Sequence, residues 1–231
     1  DITIHSNQVT KKSLFVAYPG NTFDGRDFIG HVIKAGVSAV LYDKNNFVWK
    51  KEWELPHLGI DKLKERLPEI ASKFYGHPSD NLRVVGITGT NGKTTSVQWL
   101  SSCLNQLDRN TGFIGTTGYG DESKINSTKN TTPDIFTIQK IIKKFKEENK
   151  SHIAMEVSSH AIDQGRIDNL KFDIKVLTNI TRDHLDYHGN IENYVKCKSD
   201  FLLSNETGGV IIVNNDDLIG HQIIKKIDKR K

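Results

Sequence analysis

Short apolar runs alternate with longer amphipathic stretches along this chain. In the first 78 residues, the runs at 14–18, 39–42 and 57–60 read as strands, and the chain opens at Asp1-Ile2-Thr3-Ile4 as though inside another. A turn over 19–25 precedes a helix expected from Asp27, with Phe28, Ile29, Val32, Ile33 and Val37 at helical spacing. A second helix is expected over 62–75, ended by Gly76-His77-Pro78-Ser79-Asp80. That breaker cluster is the expected boundary between domains 1–78 and 79–231. Beyond it the pattern becomes regular β/α alternation. Strands are expected at 82–88, 112–115, 153–157, 174–178 and 210–213. One helix shows Val97, Leu100, Cys103, Leu104 and Leu107 on one stripe. Another, after Thr132-Pro133, carries Ile135, Ile138, Ile141, Ile142 and Phe145, and a last one includes Ile223 and Ile227. Apolar strands between helices predict an α/β fold with a mostly parallel sheet buried on both faces.

The junction of the 82–88 strand with the next helix carries the sharpest chemical signal: Gly89, Thr90, Asn91, Gly92, Lys93, Thr94 and Thr95. Glycines let backbone N–H groups turn inward and the helix N-terminus adds partial positive charge. The lysine meets β/γ-phosphates, and the following hydroxyl can ligate Mg²⁺. The general G-x-x-x-x-G-K-[ST] spacing puts a glycine at 87, where this chain has Ile87; Gly86 and Gly89 flank it. The competing reading is a loop that is merely rich in Gly and Thr. The strand and helix on either side favour a phosphate cradle, hence a nucleoside triphosphate.

Charge and cysteine content narrow the partners. Among 231 residues there are 32 Lys+Arg and 28 Asp+Glu, a balance of +4, with the basic residues scattered among acidic ones and no aromatics interleaved. This suits an anionic small molecule and gives no nucleic-acid signature. The one basic cluster, Lys225, Lys226, Lys229, Arg230 and Lys231, reads as a solvated helix end. The two cysteines, Cys103 and Cys197, have neither metal nor disulfide spacing, which points to a reducing cytoplasm. No apolar run has the length of a membrane span, so no membrane partner is expected.

In an open parallel sheet, ligands bind beyond the carboxyl ends of the strands. Glu156 lies at such an end, followed by Val157-Ser158-Ser159-His160. Another strand leads into Thr178-Asn179-Ile180-Thr181-Arg182-Asp183-His184-Leu185-Asp186-Tyr187-His188-Gly189. Glu156, Asp183, His184, Asp186 and His188 could supply ligands to Mg²⁺, which needs only one or two carboxylates beside phosphate oxygens and water. A loop salt bridge for Glu156 and a surface helix turn for His184 and His188 are the competing readings.

Taken together, the loop at 89–95, Gly115-Thr116-Thr117-Gly118-Tyr119-Gly120, Met155-Glu156-Val157-Ser158-Ser159-His160 and the segment 182–189 resemble the Mur ligases of peptidoglycan synthesis. Asn130-Thr131-Thr132-Pro133, Asp163-Gln164-Gly165-Arg166 and the opening Ile4-His5-Ser6 resemble the branch adding the third stem-peptide residue. The resemblance implies a small N-terminal α/β domain binding a uridine nucleotide, followed by a phosphate-loop central domain. ATP and Mg²⁺ are the implied cofactors, with Gly89, Thr90, Asn91, Gly92, Lys93, Thr94 and Thr95 on the nucleotide. Lys93, His184 and Lys198 would be catalytic, and Thr94, Glu156, His184 and Lys198 would hold metal, Lys198 as a carbamoylated N6-carboxylysine. Lys196 is the competing position for that modification.

Ile4, Ser6, Asn21, Thr22 and Phe23 would meet the uridine end of a UDP-muramoyl dipeptide. Asn130, Thr131, Thr132, Ser158, Gln164 and Arg166 would meet its pyrophosphate, sugar and peptide parts. The implied reaction is ATP-dependent amide formation through an acyl phosphate, adding meso-diaminopimelate or L-lysine, in a cytoplasmic monomer with small-molecule partners. Other members of the superfamily, such as folylpolyglutamate synthases, and a non-catalytic nucleotide-binding remnant are the alternatives. The chain is expected to be a fragment of about half the family length. It would lack the rest of the central domain and the amino-acid-selecting C-terminal domain, and so would not turn over alone.

Overall fold

The computed structural model resolves into two compact units, residues 1–71 and 72–231. It describes residues 1–128, 130–204 and 209–228, so Lys229, Arg230 and Lys231 of the basic cluster lie outside the described residues.

The first unit is built on a wholly parallel sheet whose spatial order follows the chain: β1 (Ile2–Thr3), β2 (Leu14–Ala17), β3 (Ala39–Asp43) and β4 (His57–Ile60). The helix expected from Asp27 begins as a 3-10 turn, Gly25–Phe28, where the Asp24 carboxylate accepts from Arg26 N at 2.9 Å. It becomes α1 (Ile29–Lys34), whose Ile29 and Val32 pack on Phe15, Ala17 and Val40. Asp43, at the end of β3, accepts from Leu63 N at 2.8 Å and starts α2 (Leu63–Tyr75). Parallel strands place their following loops at one edge. Ile4 and Ser6 therefore share an edge with Asn21, Thr22 and Phe23, the first pair following β1 and the other three following β2.

The second unit begins in earnest with β5 (Arg83–Thr88), α3 (Lys93–Gln106), β6 (Thr111–Gly115), β7 (Gly118–Asp121) and β8 (Lys124–Asn126). There follow α4 (Ile135–Glu147), β9 (His152–Glu156), α5 (Ser159–Asp163), β10 (Ile174–Leu177), α6 (Leu185–His188), α7 (Ile191–Leu203), β11 (Val210–Val213) and α8 (Leu218–Asp228). The sheet order is β11-β10-β5-β9-β6-β7-β8, parallel from β11 to β6. Successive residues of β5 serve opposite faces. Val84 joins a core with Ile138, Ile142, Phe145 and Tyr194, whereas Val85 and Ile87 join one with Val97, Phe113 and Ala154. The two-sided burial expected from the apolar runs is what the fold uses.

Three features depart from the sequence reading. Cys103 and Leu107 are not on the buried stripe of α3; both are exposed, and the buried side runs through Val97 and Ser101. At 100° per residue, 103 and 107 lie well off the face of 97. The mostly parallel sheet ends in an antiparallel meander of β6, β7 and β8, of which β7 and β8 were not among the expected strands. Its glycines hid the strand alternation. A Cβ at Gly118 would come within 2.2 Å of Asn126 O, and one at Gly120 within 1.9 Å of Lys124 O. Finally, Lys175 is buried within a strand read as apolar. Its ammonium donates to Phe201 O (2.9 Å), Ser204 O (2.8 Å) and Ser204 Oγ (2.5 Å), capping the negative end of α7.

Candidate functional site

The strands whose ends carry polar clusters are consecutive neighbours: β10, β5, β9 and β6. From β5 the chain crosses to β6 on one side, and from β9 it returns to β10 on the other. The loop after β5 thus lies at the topological switch point, where a crevice opens.

That loop is pinned from β10. Thr90 N donates to Asn179 O (2.8 Å) and Asn91 N to Asn179 Oδ1 (3.1 Å), while Thr178 Oγ1 donates to Asn91 O (2.7 Å). Gly89 has φ +148°, and Gly92, the N-cap of α3, has φ +83°. Both values lie where glycine is the natural occupant. The first-turn N–H groups of α3 have no intrahelical acceptor and sit at its positive end, which is an anion-binding arrangement. Lys93 Nζ donates to Gly89 O and Thr90 O, both at 2.8 Å. Burial lowers its pKa, with the charges of Glu156 and Asp183 acting the other way.

The loop forms one wall of a cleft of about 540 Å³. Thr90, Asn91, Gly92, Lys93, Thr94 and Thr95 line that wall, and Glu156, Ser158 and His184 come from the neighbouring strand ends. Asn130, Thr131, Thr132 and Arg166 complete the group of expected residues that the fold gathers there. Gly89 is not among the lining residues; its carbonyl accepts from Lys93 Nζ and Lys198 Nζ. Gln164 stands behind the wall, its Oε1 accepting from Arg166 Nε (2.9 Å) and Nη2 (2.5 Å). Ile4, Ser6, Asn21, Thr22 and Phe23 belong to the first unit.

Glu156 is almost fully buried in the cleft floor, and among the described residues it forms no salt bridge. Its Oε1 accepts from Thr116 N at 2.7 Å and its Oε2 from Thr116 Oγ1 at 3.2 Å. Gly115 makes room for it, since a Cβ there would lie 2.2 Å from Glu156 Oε1. Thr132 Oγ1 donates to Glu156 O (2.9 Å) and accepts from Ser158 N (3.1 Å), joining two of the expected substrate-binding segments. His184 has φ +50°, a left-handed position that costs energy for a non-glycine residue, and its Nε2 is 3.5 Å from Asp183 Oδ2. His188, by contrast, is buried, with its Nε2 unpartnered, and Tyr194 lies beside it with ring centroids 5.3 Å apart. Burial is the main cause of the lowered pKa values of His160 and His188.

Lys198 lies behind the loop and does not line the cleft. It is 1 % exposed, and its Nζ donates to Gly89 O (3.1 Å) and Thr88 Oγ1 (3.2 Å). Burial first, and then the Lys93 ammonium, push its pKa down to about 7. Lys196, the competing position, points outward and pairs with Asp200 at 2.7 Å.

The sequence reading assigned no role to Thr116, His160 or Tyr194. Thr116 and His160 line the cleft. Both lie in segments already marked, so their place at strand ends was the available signal. Tyr194 carried none beyond helical spacing.

Among the described residues, no three His, Cys, Asp or Glu side chains converge as a metal cage. Two donors at the cleft, the Glu156 carboxylate and the Thr94 hydroxyl, are oxygen ligands of the kind Mg²⁺ takes beside phosphate oxygens, and the His184 imidazole, a nitrogen donor, lines the same cleft.

A phosphate loop at the switch point of a doubly covered parallel sheet defines a nucleotide-binding α/β domain. Within that class the match is specific: residues 87–231 fit the Mur ligase middle domain, and residues 1–75 fit the catalytic domain of the Mur ligase family. The chain belongs to the Mur ligase family. It is 40 % identical over 220 residues to the UDP-N-acetylmuramoyl-L-alanyl-D-glutamate--2,6-diaminopimelate ligase of Coxiella burnetii (strain RSA 493 / Nine Mile phase I), covering 95 % of this chain and 45 % of that protein. The ligase of the same name from Janthinobacterium sp. (strain Marseille) is 37 % identical over 237 aligned residues, covering 100 % of this chain and 46 % of the relative. A solved structure of such a ligase superposes with a TM-score of 0.79 at 25 % identity, over 99 % of this chain and 45 % of the other. The chain thus spans about 45 % of the length of the curated relatives it matches.

Proposed function

We propose that this chain supplies the nucleotide- and muramoyl-binding part of an ATP-dependent ligase that joins 2,6-diaminopimelate to UDP-N-acetylmuramoyl-L-alanyl-D-glutamate. The observation that carries the reading is the single cleft bringing together the phosphate loop, the buried Glu156 carboxylate and Arg166. The names of the relatives supply the substrate. The first unit, with Ile4, Ser6 and the 21–23 turn on one sheet edge, takes the uridine end. Asn130, Thr131, Thr132, Ser158 and Arg166 take the phosphates, sugar and dipeptide, with Gln164 bracing the guanidinium. A monomer in the cytoplasm goes with this reading. Cys103 and Cys197 are both free thiols, and among the described residues no helix is long and apolar enough to cross a membrane.

The substrate carboxylate attacks the γ-phosphorus of ATP, giving an acyl phosphate and ADP. The incoming amine then attacks the acyl carbon, loses a proton, and expels inorganic phosphate as the amide forms. Both partners of the first step are anionic, so the residues act mainly by neutralising charge and positioning. The α3 N–H groups and Lys93 hold the β- and γ-phosphates, and Arg166 offers a fork to a carboxylate or phosphate. Mg²⁺, when bound through Thr94, Glu156 and His184, supplies further positive charge to the phosphate oxygens.

Lys198 joins this set as a carbamate. The ammonium first gives up a proton; the neutral Nζ then adds to CO₂ and loses a second, so that a buried cation is replaced by an anion able to help hold metal. A pKa of about 7 keeps a large share of the amine neutral and nucleophilic near neutrality.

Titration of the full chain with ADP tests the nucleotide reading. One-to-one binding that strengthens with Mg²⁺ is expected, weakened about tenfold or more by Lys93→Ala, the loss of one charge-assisted contact. Absence of binding by a chain that circular dichroism shows to be folded would defeat it.

A further inference from the structure

Tyr194 is one of the largest fully buried side chains, at 1 % exposure, and it lies against Thr90, Lys198, His184 and His188. Its hydroxyl is 3.1 Å from Thr90 Oγ1 in the phosphate loop. Its ring lies under Lys198 Nζ at 4.8 Å, one helical turn away on α7, and its centroid is 6.3 Å from that of His184.

The direction of the hydroxyl bond follows from proton counting. Thr90 Oγ1 has one proton and gives it to Thr181 O (3.2 Å), an atom that can only accept. The same oxygen accepts from Thr181 N (2.9 Å). The phenol is therefore the donor to Thr90, and with it the threonine oxygen has a full set of partners. Buried and fully satisfied, such a network holds one geometry. Thr90 is also where the loop backbone turns toward the phosphate position, its N–H tied to Asn179 O.

We propose that Tyr194, on the helix that also presents Lys198, is a positioning residue for the phosphate loop, its hydroxyl locking Thr90 so that nucleotide phosphates meet a preformed cradle at the start of α3. This rests on the nucleotide reading above and goes beyond it, assigning a role to a residue that neither lines the cleft nor reaches a ligand.

The test is titration of the full chain with ADP and Mg²⁺, well below the melting temperature, for wild type, Tyr194→Phe, Thr90→Val and the double variant. Tyr194→Phe keeps the ring under Lys198 and removes only the donor. It is expected to raise the ADP dissociation constant about fivefold, the worth of one buried hydrogen bond. The double variant is expected to bind no more weakly than Thr90→Val alone, because both changes remove the same bond. Unchanged ADP affinity in Tyr194→Phe, with or without a lower melting temperature, would overturn the proposal, as would strictly additive effects. Should Tyr194→Phe not fold, an unchanged affinity in Thr90→Val overturns it equally. A wild-type chain that binds no ADP sinks the nucleotide reading as well, whereas wild-type binding with an indifferent Tyr194→Phe sinks this inference alone.

Discussion

Replacing Lys198 by methionine is expected to stabilise the chain while removing its capacity to take up CO₂. The folded-state pKa is about 7, against about 10.4 for a lysine in an unfolded chain. Between those values the unfolded chain holds a proton the folded chain has released, so wild-type stability rises with pH across that window. Below pH 7 both states are protonated and the full cost of the buried ammonium is present. Methionine fills similar volume without the charge. Of the two acceptors it deserts, Gly89 O keeps Lys93 as a donor, and Thr88 Oγ1 keeps its bond to Val157 O at 2.8 Å. The gain should be about 1–4 kcal/mol at pH 6 and should shrink as pH rises toward 10. Thermal melts across that range check the sign. A ¹³C-bicarbonate NMR experiment should show a carbamate signal in wild type, absent from Lys198→Met and weakening below pH 7 as the amine is protonated. Destabilisation at pH 6, or a signal that survives the substitution, would contradict the role assigned to this lysine.

The second large effect is expected at Gly89. Alanine there would place its Cβ 1.9 Å from Thr178 Oγ1 and 3.0 Å from Asn179 O, at a φ of +148°. Neither contact can be relieved cheaply, because Thr178 and Asn179 are the residues that pin the loop. Gly89→Ala is expected to cost about 2–4 kcal/mol in denaturant unfolding, from strained backbone together with overpacking, and to abolish measurable ADP binding. Adding Thr178→Ala removes the shorter contact and should recover part of the stability. It should restore little of the affinity, since one of the two donors to Asn91 O is then lost, leaving Asn179 Nδ2 at 3.0 Å. A Gly89→Ala chain that binds ADP like wild type would show that the loop's geometry is not what holds phosphate.

How far the site was legible depends on which physics left a trace in the sequence. The phosphate loop was legible because a strand, inward-turned N–H groups and a helix start demand glycines at particular places. The place of Glu156 and His184 at the cleft was legible because parallel strands send their polar ends to one edge, whereas Asp183, Asp186 and His188 of the same segment are not among its lining. The β7–β8 hairpin was not, since Gly118 and Gly120 stand there for backbone clearance and leave no alternation to read. Lys175 was invisible for a related reason: one polar residue in an apolar strand says nothing of the helix end it will cap. Periodicity misplaced Cys103 and Leu107 because it counts apolar residues without knowing which face the sheet covers. Tyr194 sits at a core-facing helical position, and its polar end acquires meaning only once the fold sets Thr90 against it.

The most direct measurement of the central claim is calorimetric titration of the full chain with UDP-N-acetylmuramoyl-L-alanyl-D-glutamate, beside UMP and a folate. Saturable one-to-one binding is expected, tighter than UMP, weakened about tenfold or more when Arg166→Ala removes the charged fork, and with no heat from the folate. A folded chain that binds the folate, or that binds the muramoyl dipeptide no better than UMP, would contradict the account.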